Sequence, residues 1–217
     1  MKSRKLCFAF AVLAFVLPAK VASAQATSDL GSWCHIQLIK SFGKPYAMAR
    51  LEHRSFERIG ATECYFAMAG GGYKFKNWLQ GDLSYEFWKL PAYGNATTHK
   101  AVACVAATLR REALAVSLRE KYELAFPGGG GNPSSTLRTR VRVQYTPSSS
   151  IFTPYAIYEF FNGFEGQAWQ RSLHYLGTDI KLGKHNALDV YYMFHLFPSA
   201  GSVAACHILG IGYVLTL

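Results

Sequence analysis

Apolar and polar residues alternate along most of this chain with a period of two. In LRTRVRVQYT, residues 137–146, Leu137, Thr139, Val141, Val143 and Tyr145 hold one parity, and Arg138, Arg140 and Arg142 hold the other. Successive side chains of an extended strand point to opposite faces, so such a segment has one apolar face and one cationic face. The pattern recurs. In YAMARLEHRSF, Ala47, Ala49 and Leu51 oppose Arg50, Glu52 and Arg54; in WLQGDLSYEFWKL, Leu83, Tyr85 and Phe87 oppose Asp82, Ser84 and Glu86. In ALAVSLREKYEL, Val116, Leu118, Tyr122 and Leu124 oppose Ser117, Arg119, Lys121 and Glu123; in ALDVYYMFHLF, Val190, Tyr192 and Phe194 oppose Asp189, Tyr191 and His195. Glu120 breaks the rule by falling on the apolar row, which predicts a bulge or a position near a membrane interface. Gly, Pro, Asn and Ser separate the segments and helical periodicity is absent, so the chain is predicted to be all-β.

The segments number about eleven. Single-chain bacterial membrane barrels have even counts, so ten or twelve strands are expected. Ten results if the segment near Trp33 to Ile39 stands outside the closed barrel. Short links are predicted at 75–77, 110–113 and 183–186, alternating with longer ones at 91–98, 127–135 and 162–167. That alternation matches the tight periplasmic turns and longer outer loops of outer-membrane barrels. The terminal HILGIGYVLTL sets Leu209, Ile211, Tyr213, Leu215 and Leu217 against Gly210, Gly212 and Thr216. This amphipathic last strand is similar to the assembly signal of outer-membrane barrels, although Leu217 stands where an aromatic residue usually closes it.

Alternation does not say which face is outside, and the destination of the chain bears on that. Lys2, Arg4 and Lys5 precede the apolar run CFAFAVLAFVLPA, and Ala22-Ser23-Ala24 follows. This is a secretory signal, with cleavage expected after Ala24 and a single barrel domain over 25–217. The apolar run is too short to be a spanning helix, which needs about 20 residues. Removing Lys2, Arg4, Lys5 and Lys20 with the leader leaves 19 basic against 13 acidic residues, a net +6. Without a basic helix, a zinc motif or a Lys/Arg block, nucleic acid is not an expected partner. The mature cysteines Cys34, Cys64, Cys104 and Cys206 match no C-x-x-C spacing, so no metal or cofactor is expected, and both disulfides and free thiols stay open. High aromatic content, with 13 Tyr and 15 Phe, suits interfacial girdles.

Taken in order, LGSW, YKFKNWLQGDLSYEFW, SLREKYEL, LRTRVRVQY, TPYAIYEFFN, LDVYYMF and ILGIGY resemble the uncharacterised bacterial outer-membrane barrels catalogued as domain of unknown function 2490. The resemblance spans nearly the whole mature chain. It implies a transmembrane up-and-down antiparallel barrel in the outer membrane of a Gram-negative bacterium, and it implies no activity and no catalytic residues.

On that reading the polar row faces the lumen. The expected lumen charge network is Arg50, Glu52, Arg54, Asp82, Glu86, Arg119, Lys121, Arg138, Arg140, Arg142, Glu159 and Arg171, joined by Glu123, Asp179 and Asp189 of the same parity. Two roles follow. A narrow barrel fills its interior, and buried charges there must be paired. An open lumen lined with arginine would instead favour small anionic solutes. Glu159 is the expected central partner of the arginines. Outer-membrane lipids and, through the C-terminal strand, the barrel-assembly machinery are the expected partners. Two further readings stay open: a barrel enzyme acting on lipid acyl chains, with Ser172 and His174 as candidates and His195 and His53 as further options, and a soluble periplasmic barrel that binds an apolar ligand.

Overall fold

A computed structural model describes residues 28–165, 169–199 and 202–217. The expected leader, 1–24, lies outside them. The described residues form one closed barrel of eleven strands: β1 (Ser28–Ser41), β2 (Pro45–Phe56), β3 (Ala61–Lys76), β4 (Leu79–Leu90), β5 (Ala96–Arg111), β6 (Leu114–Pro127), β7 (Ser134–Tyr145), β8 (Phe152–Gly163), β9 (Trp169–Lys181), β10 (Asn186–Ser199) and β11 (Ser202–Thr216). Each strand pairs antiparallel with the next, and β1 closes the barrel against β11 in parallel, from Ser28 opposite Ala205 to Ile39 opposite Thr216.

The count of eleven corrects the expectation of ten or twelve. A meander with an odd number of strands brings its first and last strands to the seam running in the same direction, so closure must be parallel. Parallel pairs hydrogen-bond evenly but at a slant and are only slightly weaker per residue, so twelve register positions suffice to seal the wall. The Trp33–Ile39 segment is the middle of β1 and part of the closed wall. Of the two expectations for Glu120, the bulge is not found, because it pairs in regular register with Val105 and Thr139. The irregularities lie elsewhere, at Arg54/Ser55, Lys74/Lys76 and Phe161/Asn162.

The strands define two rims. The C-terminal rim carries links 42–44, 77–78, 112–113, 146–151 and 182–185, and there the Leu217 amide donates to the Ile39 carbonyl. The N-terminal rim carries links 57–60, 91–95 and 128–133, the ends of β8 and β10 and the starts of β9 and β11. Short and long links alternate from β3 to β7, but the six residues 146–151 break the expected regularity.

The wall is inverted relative to a water-soluble protein. Leu51, Leu83 and Leu109 point outward with 64, 68 and 71% of their surface exposed, and Ile36, Val105, Leu118, Leu176 and Ile211 share that face. Glu86 and Glu159 point inward and are 1% exposed. The outward face is graded. Toward the N-terminal rim, cross-strand aromatic and histidine contacts run from Tyr158 to His174, His174 to Phe194 and Phe194 to His207, with His53–Tyr65 and Phe87–His99 on other strands. Tyr73, Phe75 and Tyr145 are exposed toward the other rim. Aliphatic side chains fill the band between.

Inside, the strands divide the work. Trp33 of β1, Tyr155, Ile157 and Phe161 of β8, Leu173 and Tyr175 of β9, Tyr191 and Met193 of β10 and Ile208 of β11 form one buried cluster. β2 and β4–β7 supply most of the charges. The glycines of β11 are the counterpart of this filling. A Cβ on Gly210 would lie 2.0 Å from the Tyr191 ring, and one on Gly212 would lie 2.0 Å from the His35 ring. Gly210→Ala is therefore expected to cost about 1–3 kcal/mol by overpacking, because Tyr191 is hemmed in by the filled lumen. Shortening Tyr191 to Leu in the same protein should recover most of the loss, read as the denaturation midpoint of the refolded barrel.

Candidate functional site: the charged lumen

Inward parity on β4 to β8 turns acids and bases into one lumen; β6 and β7 set like charges opposite, Lys121 with Arg138 and Arg119 with Arg140, and the side chains reach past these register positions to connect into a continuous network. Glu86 of β4 accepts from the Lys121 ammonium at 2.7 Å and from the Trp88 indole at 3.0 Å. Lys121 also reaches Glu123 at 3.0 Å, and Glu123 binds Lys100 at 2.9 Å and Arg138 at 2.5 Å. Arg138 continues to Glu159 at 3.0 Å, and Glu159 takes Arg119 at 2.8 Å. On β2, Glu52 lies between Arg50 and Arg54, with the Arg54 Nε 2.6 Å from its carboxylate. These carboxylates are almost wholly buried, a condition sustainable only because each holds two or more charged or N–H donors.

The cations are also held by rings. The Arg54 guanidinium sits 3.6 Å from the Trp33 ring centre and 4.6 Å from that of Trp88, and Lys100 lies 4.7 Å over Trp88. Arg138 and Arg171 stack on Phe161 at 4.3 and 4.4 Å, and Arg142 on Tyr155 at 4.0 Å. Desolvated contacts of this kind contribute about 2 kcal/mol each at best. They join the aromatic half of the lumen to the charged half and fill the space between.

Not every charge finds a counter-ion. Asp82 accepts from the Tyr46 hydroxyl at 3.2 Å and Asp189 from the Tyr155 hydroxyl at 2.5 Å, each with no Lys, Arg or His nitrogen within 4 Å among the described residues. Arg142 pairs with Asp179 at 2.5 Å. Among the described residues Arg140 and Arg171 have no carboxylate within 4 Å, and their Nε atoms are buried without a partner. Lys100 is a network member that period-two reading overlooks. Its inward neighbours Val102, Cys104 and Ala106 are apolar or small, so β5 shows no charge alternation. At the N-terminal rim, Glu165, just past β8, accepts from the Ser135 amide at 2.8 Å and hydroxyl at 2.9 Å, which holds its carboxyl below the usual carboxylate range.

The Ser-His candidates do not form a catalytic set. Ser172 Oγ lies 3.5 Å from His174 Nε2 on the outward face, where the ring of His174 contacts Tyr158 and Phe194. Among the described residues no carboxylate hydrogen-bonds His174, and a nucleophile–base pair needs such an orienting group. His195 points inward on another strand, and His53 bonds Thr62. Cys34, Cys64, Cys104 and Cys206 are free thiols, Cys34 exposed on the outer wall. No group of three or more His, Cys, Asp or Glu among the described residues is placed to hold a metal.

A comparison with curated proteins gives no match. The model of one family, described as protein of unknown function DUF2490, matches residues 30–204, from the start of β1 to the start of β11. This eleven-stranded barrel with an inverted wall and a charged lumen belongs to the DUF2490 family.

Proposed function

We propose that the protein is an outer-membrane barrel of a Gram-negative envelope whose lumen is closed by its own side chains, a structural wall element and not an open pore. The observation that carries the reading is the inversion of burial: large aliphatic residues cover the outside while carboxylates are sealed within. A monomeric soluble barrel would place those surfaces the other way, because a contiguous exposed apolar belt drives association in water. In a bilayer the belt meets lipid, every backbone group of a closed wall is paired, and no edge is left. The aromatic and histidine contacts near one rim and the tyrosines near the other fit interfacial girdles. On this reading the rim with the tight 77–78 and 112–113 links faces the periplasm, with lipids and, through β11, the assembly machinery as partners.

The closed lumen is supported by the Glu86–Lys121–Glu123–Arg138–Glu159 chain packing through Arg138 against Phe161 of the buried aromatic cluster. Two measurements test the proposal. The protein is expected to stay with membranes through an alkaline carbonate wash, and release into the supernatant would defeat the membrane assignment. The refolded barrel in a planar bilayer is expected to show no reproducible conductance steps; steady anion-selective steps lost on neutralising Arg138, Arg140 and Arg142 would replace the closed lumen by a channel.

A further inference from the structure

Toward the N-terminal rim, the inner wall contains a set of donors that lack acceptors. Arg171 on β9 stacks on Phe161, has no carboxylate within 4 Å, and its Nε is buried without a partner. Three strands on, across the seam, the Trp33 indole N–H is buried and unbonded, although its ring carries the Arg54 guanidinium at 3.6 Å. Between them His195 faces inward with Nε2 buried and unpartnered, within electrostatic reach of both Arg171 and Arg54, its ring 4.9 Å from Phe197. The nearby acids are committed: Glu52 to Arg50 and Arg54, and Glu123 to Lys100, Lys121 and Arg138. Glu63, the bulged residue of β3, lies within electrostatic reach of Arg171 but forms no ion pair with it.

A buried donor without an acceptor is costly, and a buried guanidinium without an anion more so. Three unpartnered groups, on β9, on β10 and, beyond β11, on β1, in a region of positive charge walled by Trp33, Phe161 and Phe197, describe the complement of one ligand type. We propose that this end of the lumen binds a small oxyanion, a carboxylate- or phosphate-bearing solute. Arg171 grips the oxyanion through its fork of N–H groups. Trp33 Nε1 donates to it, and His195 donates in its Nε2–H tautomer. The aromatic walls accept an apolar flank on the ligand. Arg140, unpaired in the other half of the lumen, has no such surround: Asp179, Asp82 and Asp189 stand on its side of the barrel.

The test is calorimetric titration of the refolded protein in zwitterionic detergent with inorganic phosphate and, separately, with benzoate. Saturable binding of at least one is expected, tighter for benzoate if the aromatic walls contribute. Arg171→Gln should weaken it about tenfold or more, as loss of a charge-assisted bidentate contact implies, and Arg140→Gln should leave it unchanged. Trp33→Phe keeps an aromatic ring under Arg54 while removing the N–H together with part of the indole, so it should weaken binding several-fold in a barrel that still refolds, and it decides the matter if Arg171→Gln does not refold. No saturable binding of either anion, or equal weakening by Arg140→Gln and Arg171→Gln, would overturn the site. Binding in micelles does not depend on whether the barrel crosses a bilayer, so this outcome and that of the carbonate wash are read separately.

Discussion

Replacing Glu159 by alanine is expected to cost about 3–5 kcal/mol of barrel stability, the size of effect seen when one member of a buried ion group is removed and its partners are left behind. Glu159 is 1% exposed and receives both Arg119 and Arg138. Its loss leaves Arg119 without a carboxylate within 4 Å among the described residues, beside Arg140, which already lacks one, and leaves Arg138 with Glu123 alone. Most of the penalty should therefore come from Arg119, tempered by the 29% of its side chain that stays exposed. Glu159→Ala/Arg119→Leu is then expected to recover part of the loss, because it removes the stranded guanidinium while Arg138 keeps Glu123. Urea unfolding of the refolded proteins, followed by tryptophan emission, measures all three. An unchanged midpoint for Glu159→Ala would mean that the carboxylate is solvated in the native lumen and that the network is not structural.

Much of this architecture is legible in the sequence, and the places where it is not have physical causes. β2, β4, β6 and β7 read directly, because each has apolar residues on one parity and charge on the other. β5 does not: ATTHKAVACVAATLRR is small or apolar on both parities, since its inward Val102 and Cys104 meet packed side chains while Ala101 and Ala103 form the outer wall. The number of segments could be counted from the alternation, but the seam could not. Direction of pairing leaves no local mark on β1 or β11, and an even count is a regularity of closure by antiparallel strands, not a physical requirement. Glu120 reads as an irregularity because an acid interrupts an apolar row, whereas Thr139 directly across donates to it at 2.9 Å, so the register need not break. Within the lumen, the parity of Arg138, Arg140, Arg142 and Glu159 is readable, but which arginine lacks a partner is not. That depends on reach across several strands, as between Lys121 and Glu86, which no spacing along the chain encodes.

Leu83→Arg discriminates between lipid and water outside the wall. Leu83 is 68% exposed on the outer face of β4, between Gly71 and Ala103 on the flanking strands and in the middle part of a strand that runs from Leu79 to Leu90. If water bathes this face, replacing an exposed leucine by arginine changes stability by no more than about 0.5 kcal/mol and improves solubility. If lipid does, the guanidinium must be drawn into hydrocarbon at the cost of about 2–4 kcal/mol near the midplane, falling to about 0–1 near the interfaces. Leu109→Arg supplies the depth control. Leu109 is as exposed, at 71%, but lies two residues from the end of β5 at Arg111, close to the C-terminal rim. The expected result in lipid vesicles is a large loss for Leu83→Arg and a small one for Leu109→Arg. Equal and negligible losses would place both side chains in water and remove the membrane reading. Equal and large losses would point to a face buried against protein, since only a bilayer imposes a cost that follows depth along a strand and ignores what the side chain touches.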